Sequence, residues 1–90
     1  LSPRERKAAL ILSKFLRIAQ RRFQNGERDA ESIRKEMLAL IASEPLARSD
    51  YISIADSETL EELDIMDRPA LISLAVHIGK TRLIDNIFLP

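Results

Sequence analysis

The sequence predicts an α+β domain in which two antiparallel helices are followed by a three-stranded antiparallel sheet. Two apolar runs, 69–78 and 81–89, flank Gly79-Lys80 and read as a hairpin. Upstream, two stretches carry apolar residues at helical spacing, joined by a short Asn-Gly-Glu-Arg connection that folds the second helix back on the first. Between them and the hairpin, Ser49–Asp56 alternates as a strand does. Helices segregated from a meandering antiparallel sheet form the α+β layer arrangement.

Ser2 can cap the first helix, Pro3 suits its first turn, and Glu5 can complete a capping box. Ala8, Ile11, Leu12, Phe15, Leu16, Ala19 and Phe23 form its apolar stripe. Arg6, Lys7, Lys14, Arg17 and Arg21 fall on the opposite side, and Asn25-Gly26 supplies the stop. Asp29 can cap a second helix with the stripe Ala30, Ile33, Met37, Leu40 and Ile41. Pro45 disfavours helical geometry at Glu44, so that helix should end near Ser43. In the strand that follows, Ile52 and Ile54 share one face, while Tyr51, Ser53 and Ala55 share the other. Ser57–Leu60 reads as one capped turn, and 61–69 as an acidic loop closed by Arg68-Pro69.

Gly79 suits the first central position of a type II′ turn, where φ must be positive. The two-residue loop sets the register: Ile78 opposite Thr81, Val76 opposite Leu83, Leu74 opposite Asp85, Ile72 opposite Ile87. That face is mostly apolar and should meet a core. The other pairs His77 with Arg82, Ala75 with Ile84, Ser73 with Asn86 and Leu71 with Phe88. Asp85 thus lands on the face that should be dry. An isolated buried charge is costly, so Asp85 needs a partner, an edge position or a different register, and it is read as a structural carboxylate.

Ninety residues make one small domain, able to bury roughly 60–65% of the surface its unfolded chain exposes. With 46% hydrophobic and 31% charged residues the composition is that of a globular chain. No cysteine excludes disulfides and thiolate chemistry and is compatible with a reducing compartment. A single histidine argues against a zinc site. Apolar runs fall short of the ~20 residues of a membrane span, and no signal-peptide pattern opens the chain. The chain starts on Leu1 and runs straight into a helix cap, which suggests a piece of a larger protein. Net charge is zero but uneven. Residues 1–25 hold seven bases against Glu5, and residues 56–67 hold six acids and no base, so the two segments either attract each other or are solvated faces.

Several strings imitate chemistry. Gly79-Lys80-Thr81 ends like a phosphate-binding loop, but the required earlier glycine is Leu74 and the setting is a hairpin. His77-Ile78-Gly79-Lys80 approaches the His-Ile-Gly-His signature of nucleotidyltransferases, which works from a helix start and has a second histidine where this chain has lysine. The basic helix face is the one nucleic-acid-like feature, yet Phe15 and Phe23 lie on the apolar stripe, which leaves no stacking platform. No catalytic, cofactor-binding or metal-ligating set emerges. The mixed hairpin residues His77, Arg82 and Asn86 are candidates for a domain interface.

The chain as a whole resembles the C-terminal domain of the pantothenate synthetase (pantoate–β-alanine ligase) family. The resemblance is carried by Leu-Ser-Pro-Arg-Glu-Arg-Lys-Ala-Ala at 1–9, Asn-Gly-Glu-Arg-Asp-Ala at 25–30 and Glu-Pro-Leu-Ala-Arg-Ser-Asp-Tyr at 44–51. Asp-Ser-Glu-Thr-Leu at 56–60, Arg-Pro-Ala-Leu at 68–71 and Thr-Arg-Leu-Ile-Asp-Asn at 81–86 continue it in order. Ser57 stands where the family usually has proline, and Ser53 where an acid is common. The resemblance implies that residues 1–90 are one C-terminal lid domain, with a Rossmann-like catalytic domain of the nucleotidyltransferase superfamily upstream. It implies a cytoplasmic, homodimeric enzyme that uses ATP and Mg to join pantoate and β-alanine through pantoyl adenylate, giving pantothenate, AMP and pyrophosphate. The family's site residues map to none of positions 1–90, so the lid alone should bind neither cofactor and should be inactive. It implies no nucleic-acid or membrane partner. The rival readings are a non-enzymatic interaction domain using the basic helix face and a weak nucleic-acid binder.

Overall fold

A computed structural model describes residues 3–45 and 47–90. Two helices, α1 (Pro3–Gln24) and α2 (Ala30–Ala42), precede three strands, β1 (Ala47–Asp56), β2 (Ala70–Ile78) and β3 (Thr81–Leu89). The sheet is antiparallel with order β1-β2-β3. Helix α2 packs over β1 and α1 over β3, both on one face of the sheet. The predicted α+β arrangement is the one observed.

Local chemistry explains the boundaries. Pro3 opens α1, while the expected cap at Ser2 and the Glu5 side chain lie outside what is described. Its C-terminus is a Schellman motif: the Gly26 N–H donates to the Phe23 carbonyl and the Glu27 N–H to that of Arg22. Gly26 takes φ +102°, which a side chain would resist. The Asp29 carboxylate accepts the Glu31 N–H at 3.1 Å and caps α2, which ends at Ser43. In the hairpin, Gly79 has φ +61°, and the sole non-glycine residue of positive φ among those described is Leu60. Positive φ at the first central residue alone is the type II′ pattern.

The core lies between the helices and the sheet: Leu12, Phe15, Leu16 and Ala19 of α1, Ile33, Met37 and Ile41 of α2, and Ile54, Ile72, Leu74 and Val76 of the strands. The β2–β3 register agrees at every pair with the one expected from the turn. Two expectations need correction. Strand β1 starts at Ala47 rather than Ser49, and a bulge between Ser49 and Tyr51 shifts its register. The segment 61–69 is more than an acidic loop, because Leu63 and Met66 are buried core residues. Its backbone makes isolated bridges to both neighbours, Glu62 to Ala55 and Ile65 to Asp29. Among the described residues no helix is long and apolar enough to cross a membrane.

Candidate functional site

The helices cover one face of the sheet and leave the other open. Strand alternation sorts the open face into four rows. Arg48, His77 and Arg82 form a row at the turn end, followed by Tyr51, Ala75 and Ile84. Next come Ser53, Ser73 and Asn86, then Ala55, Leu71 and Phe88. Tyr51, Ile84 and Phe88 are 40%, 56% and 52% exposed, so bulky apolar groups alternate with polar rows on a surface with no helix over it. Ala55 and Ala75 are buried although they share this face.

All three candidate interface residues stand on this open face. Arg82 donates from Nε to the Asp50 carboxylate at 2.8 Å, and His77 Nε2 lies 3.9 Å from the same oxygen. Asn86 is exposed two rows away. Asp50 escaped the sequence reading because it is the extra residue of the β1 bulge, without a partner on β2. The bulge turns it towards His77 and Arg82, which a strict alternation through Ser49–Tyr51 does not anticipate. Asp85 lies on the opposite, helix-covered side, paired with the buried Leu74. It is half-buried and accepts the Asn86 N–H at 2.8 Å.

Charge is otherwise spent on holding the loops. The Arg34 side chain, 14% exposed, donates through Nη2 to the carbonyls of Ile54 at 3.1 Å and Leu63 at 2.8 Å, and to Glu62 at 3.0 Å. Glu62 in turn accepts the Ile54 N–H at 3.1 Å, so this pair sews the 61–69 segment to the β1 edge. Asp56 accepts the N–H groups of Glu58 at 2.8 Å and Thr59 at 3.2 Å. The 57–60 turn is therefore capped by Asp56, outside the four residues that were expected to form it. Those two N–H bonds, with the Arg68 guanidinium 3.6 Å away, hold the Asp56 carboxyl below its ordinary value of 3.8. The hydrogen bond from Arg68 Nε, at 2.8 Å, does the same for Asp67.

Among the described residues no three His, Asp or Glu side chains come together as metal ligands. Gly79 sits in a hairpin turn with no helix following, which is not a phosphate cradle. An open, half-apolar sheet face with a charged end can cover another surface.

The comparisons with known proteins agree with the sequence resemblance. The family model for pantoate-beta-alanine ligase matches residues 1–88. Among curated relatives, the pantothenate synthetase of Roseiflexus sp. (strain RS-1) is 53% identical over 89 residues, which is 99% of this chain and 32% of the relative. That of Pelotomaculum thermopropionicum is 51% identical over 89 residues, with the same coverage. A crystal structure of the pantothenate synthetase from Thermus thermophilus superposes with a TM-score of 0.80 at 32% identity, covering 97% of this chain and 31% of that one. The chain thus spans about a third of the length of the relatives it matches. On its sequence along almost its whole length and on its fold, this chain belongs to the pantoate-beta-alanine ligase family.

Proposed function

We propose that this domain is the lid of an ATP-dependent, AMP-forming ligase that condenses pantoate and β-alanine to pantothenate. The observation that carries the reading is the continuous family match over residues 1–88 to proteins about three times as long. On this reading the domain serves chemistry housed in the rest of the protein. ATP and Mg are held, on the same reading, by the part of the protein outside these residues. The lid presents its open sheet face, with His77, Arg82 and Asn86, to the catalytic domain. Closure excludes water, so that the acyl adenylate is consumed by the β-alanine amine and not by hydrolysis. Asp85, on the covered side, is structural. The full protein on this reading is a cytoplasmic homodimer joined through its catalytic domain.

The test is made in the full-length ligase. Alanine at His77, Arg82 and Asn86 should raise AMP release without matching pantothenate formation, or raise the KM for β-alanine. Unchanged coupling and KM in all three variants would refute the role of this face. Pantothenate formation by residues 1–90 alone would refute the lid reading itself. The ligase family membership disfavours a stand-alone interaction domain acting through the basic helix.

A further inference from the structure

Strand β1 breaks its ladder at one point, and the residue set free there is Asp50. The register passes from Ser49 opposite Val76 to Tyr51 opposite Ala75, which leaves Asp50 with no partner on β2. A bulge of this kind disrupts pairing locally and re-aims a side chain. Here it lays the carboxylate against two groups of the open face. Arg82 Nε donates to it at 2.8 Å, and His77 Nε2 lies 3.9 Å from the same oxygen. Asp50 belongs to β1 and Arg82 to β3, the two outer strands, which do not pair with each other. The contact therefore reaches over β2 at the row of His77 and joins both edges of the sheet on the side that carries no helix.

This pair contributes little to stability. The side chains of Asp50 and Arg82 are 39% and 44% exposed, and an ion pair so open to water is screened. Its effect is on conformation. An unrestrained arginine samples many rotamers, and fixing it at the moment of binding costs entropy. Asp50 fixes the guanidinium in advance, through its inner nitrogen. Among the described residues Nη1 and Nη2 of Arg82 donate to nothing, so the outer edge of the fork stays open. Parallel N–H groups of such a fork match the oxygens of a carboxylate or phosphate. A lid that closes over this face takes them out of water, and buried N–H groups without an acceptor are costly. Closure thus calls for an oxyanion at the seam, met by a guanidinium already in place.

We propose that Asp50 is a positioning residue for lid closure. It holds Arg82 so that Nη1 and Nη2 engage a carboxylate or phosphate at the seam between this domain and the catalytic domain. This role rests on the lid reading and adds to it a residue that acts only through Arg82.

The test is a double-variant cycle in the full-length ligase, read as AMP released per pantothenate formed and as the KM for each reactant. Arg82→Ala sets the scale, with a ratio about tenfold above the parent. Asp50→Ala should reach the same level. The double variant should be no worse than Arg82→Ala alone, because a residue that acts only through another adds nothing once that one is gone. Asp50→Asn, which keeps the shape of the side chain and removes its charge, should shift the ratio in the same direction. Thermal midpoints of all four should stay near the parent's, as expected of an exposed pair. A KM raised for one reactant alone assigns the oxyanion to that reactant, and a raised ratio with every KM unchanged assigns it to the catalytic domain. Parent-like coupling in Asp50→Ala beside a leaking Arg82→Ala overturns the proposal and leaves the lid reading standing. Parent-like coupling in both variants removes the role of Arg82 as well. Losses that add in the double variant, or a leak that appears only where the thermal midpoint falls, also overturn it.

Discussion

Single residues carry unequal weight in this small domain, and Arg34 carries the most of any charged group. Its guanidinium satisfies two backbone carbonyls that would otherwise face the core edge, and it fixes the Glu62 carboxylate that satisfies the Ile54 N–H. Hydrogen bonds to a charged group contribute more than neutral ones, and a stranded acceptor keeps its desolvation cost. Arg34→Met keeps the aliphatic stem and removes the donors, so it should lower the unfolding free energy by about 2–4 kcal/mol in a urea titration. A loss within the scatter of exposed ion pairs, about 0–1 kcal/mol, would mean that water replaces the guanidinium without cost. Nothing in the sequence marks Arg34 off from Lys35 beside it. Its partners are 20 and 29 residues away, and only the packing of α2 on β1 brings them together.

At the scale of elements, helices and hairpin follow from local rules, and the turns are where those rules are sharpest. Two positions in the left-handed region differ in how well their residues suit it. Gly79 at φ +61° bears no side-chain penalty, whereas Leu60 at φ +64° does. A Cβ at Gly79 would meet nothing within 4 Å, so Gly79→Ala isolates the backbone cost and should destabilise by about 1–2 kcal/mol. Leu60→Gly should run the other way. Its side chain is exposed, so little burial is lost, and relief of strain less the added freedom of the unfolded chain leaves a gain of up to about 1 kcal/mol. Thermal midpoints of the two variants, moving in opposite directions, check both. The Leu60 conformation is decided by the Asp56 cap, whose carboxylate starts the turn that the Leu60 N–H closes.

On the scale of the whole molecule, the 57–69 connection joins α2, β1 and β2 into one unit, and its acids make that unit sensitive to pH. Asp56 and Asp67 have folded-state carboxyls held below the ordinary 3.8, the first by N–H donors and the second by Arg68. A depressed folded pKa stabilises above the unfolded value, and that contribution is lost as pH falls through the folded one. Stability should therefore hold from neutrality down to about pH 5 and fall below about pH 4, where the unfolded chain takes up protons first. Asp56→Asn keeps an oxygen for the turn and removes the titration, so its acid limb should be shallower. Circular dichroism melts at closely spaced acidic pH values test this. A parent-like limb in Asp56→Asn would assign the acid response to other groups.

The sequence by itself determined everything that depends on near neighbours in the chain. Periodicity placed both helices, Asp29 and Gly26 fixed their ends, and the Gly79 turn set a hairpin register that holds at every pair from Ala70–Leu89 to Ile78–Thr81. The same register made the mixed character of the open face, with His77 beside Arg82, readable in advance. Tertiary structure alone decided what depends on residues remote in sequence. It set the bulge that aims Asp50 at Arg82, the burial of Leu63 and Met66 inside an acidic segment, and the Arg34 clamp. The physical reason is range: backbone sterics and periodicity act over a few residues, whereas burial and charge pairing depend on how finished elements pack.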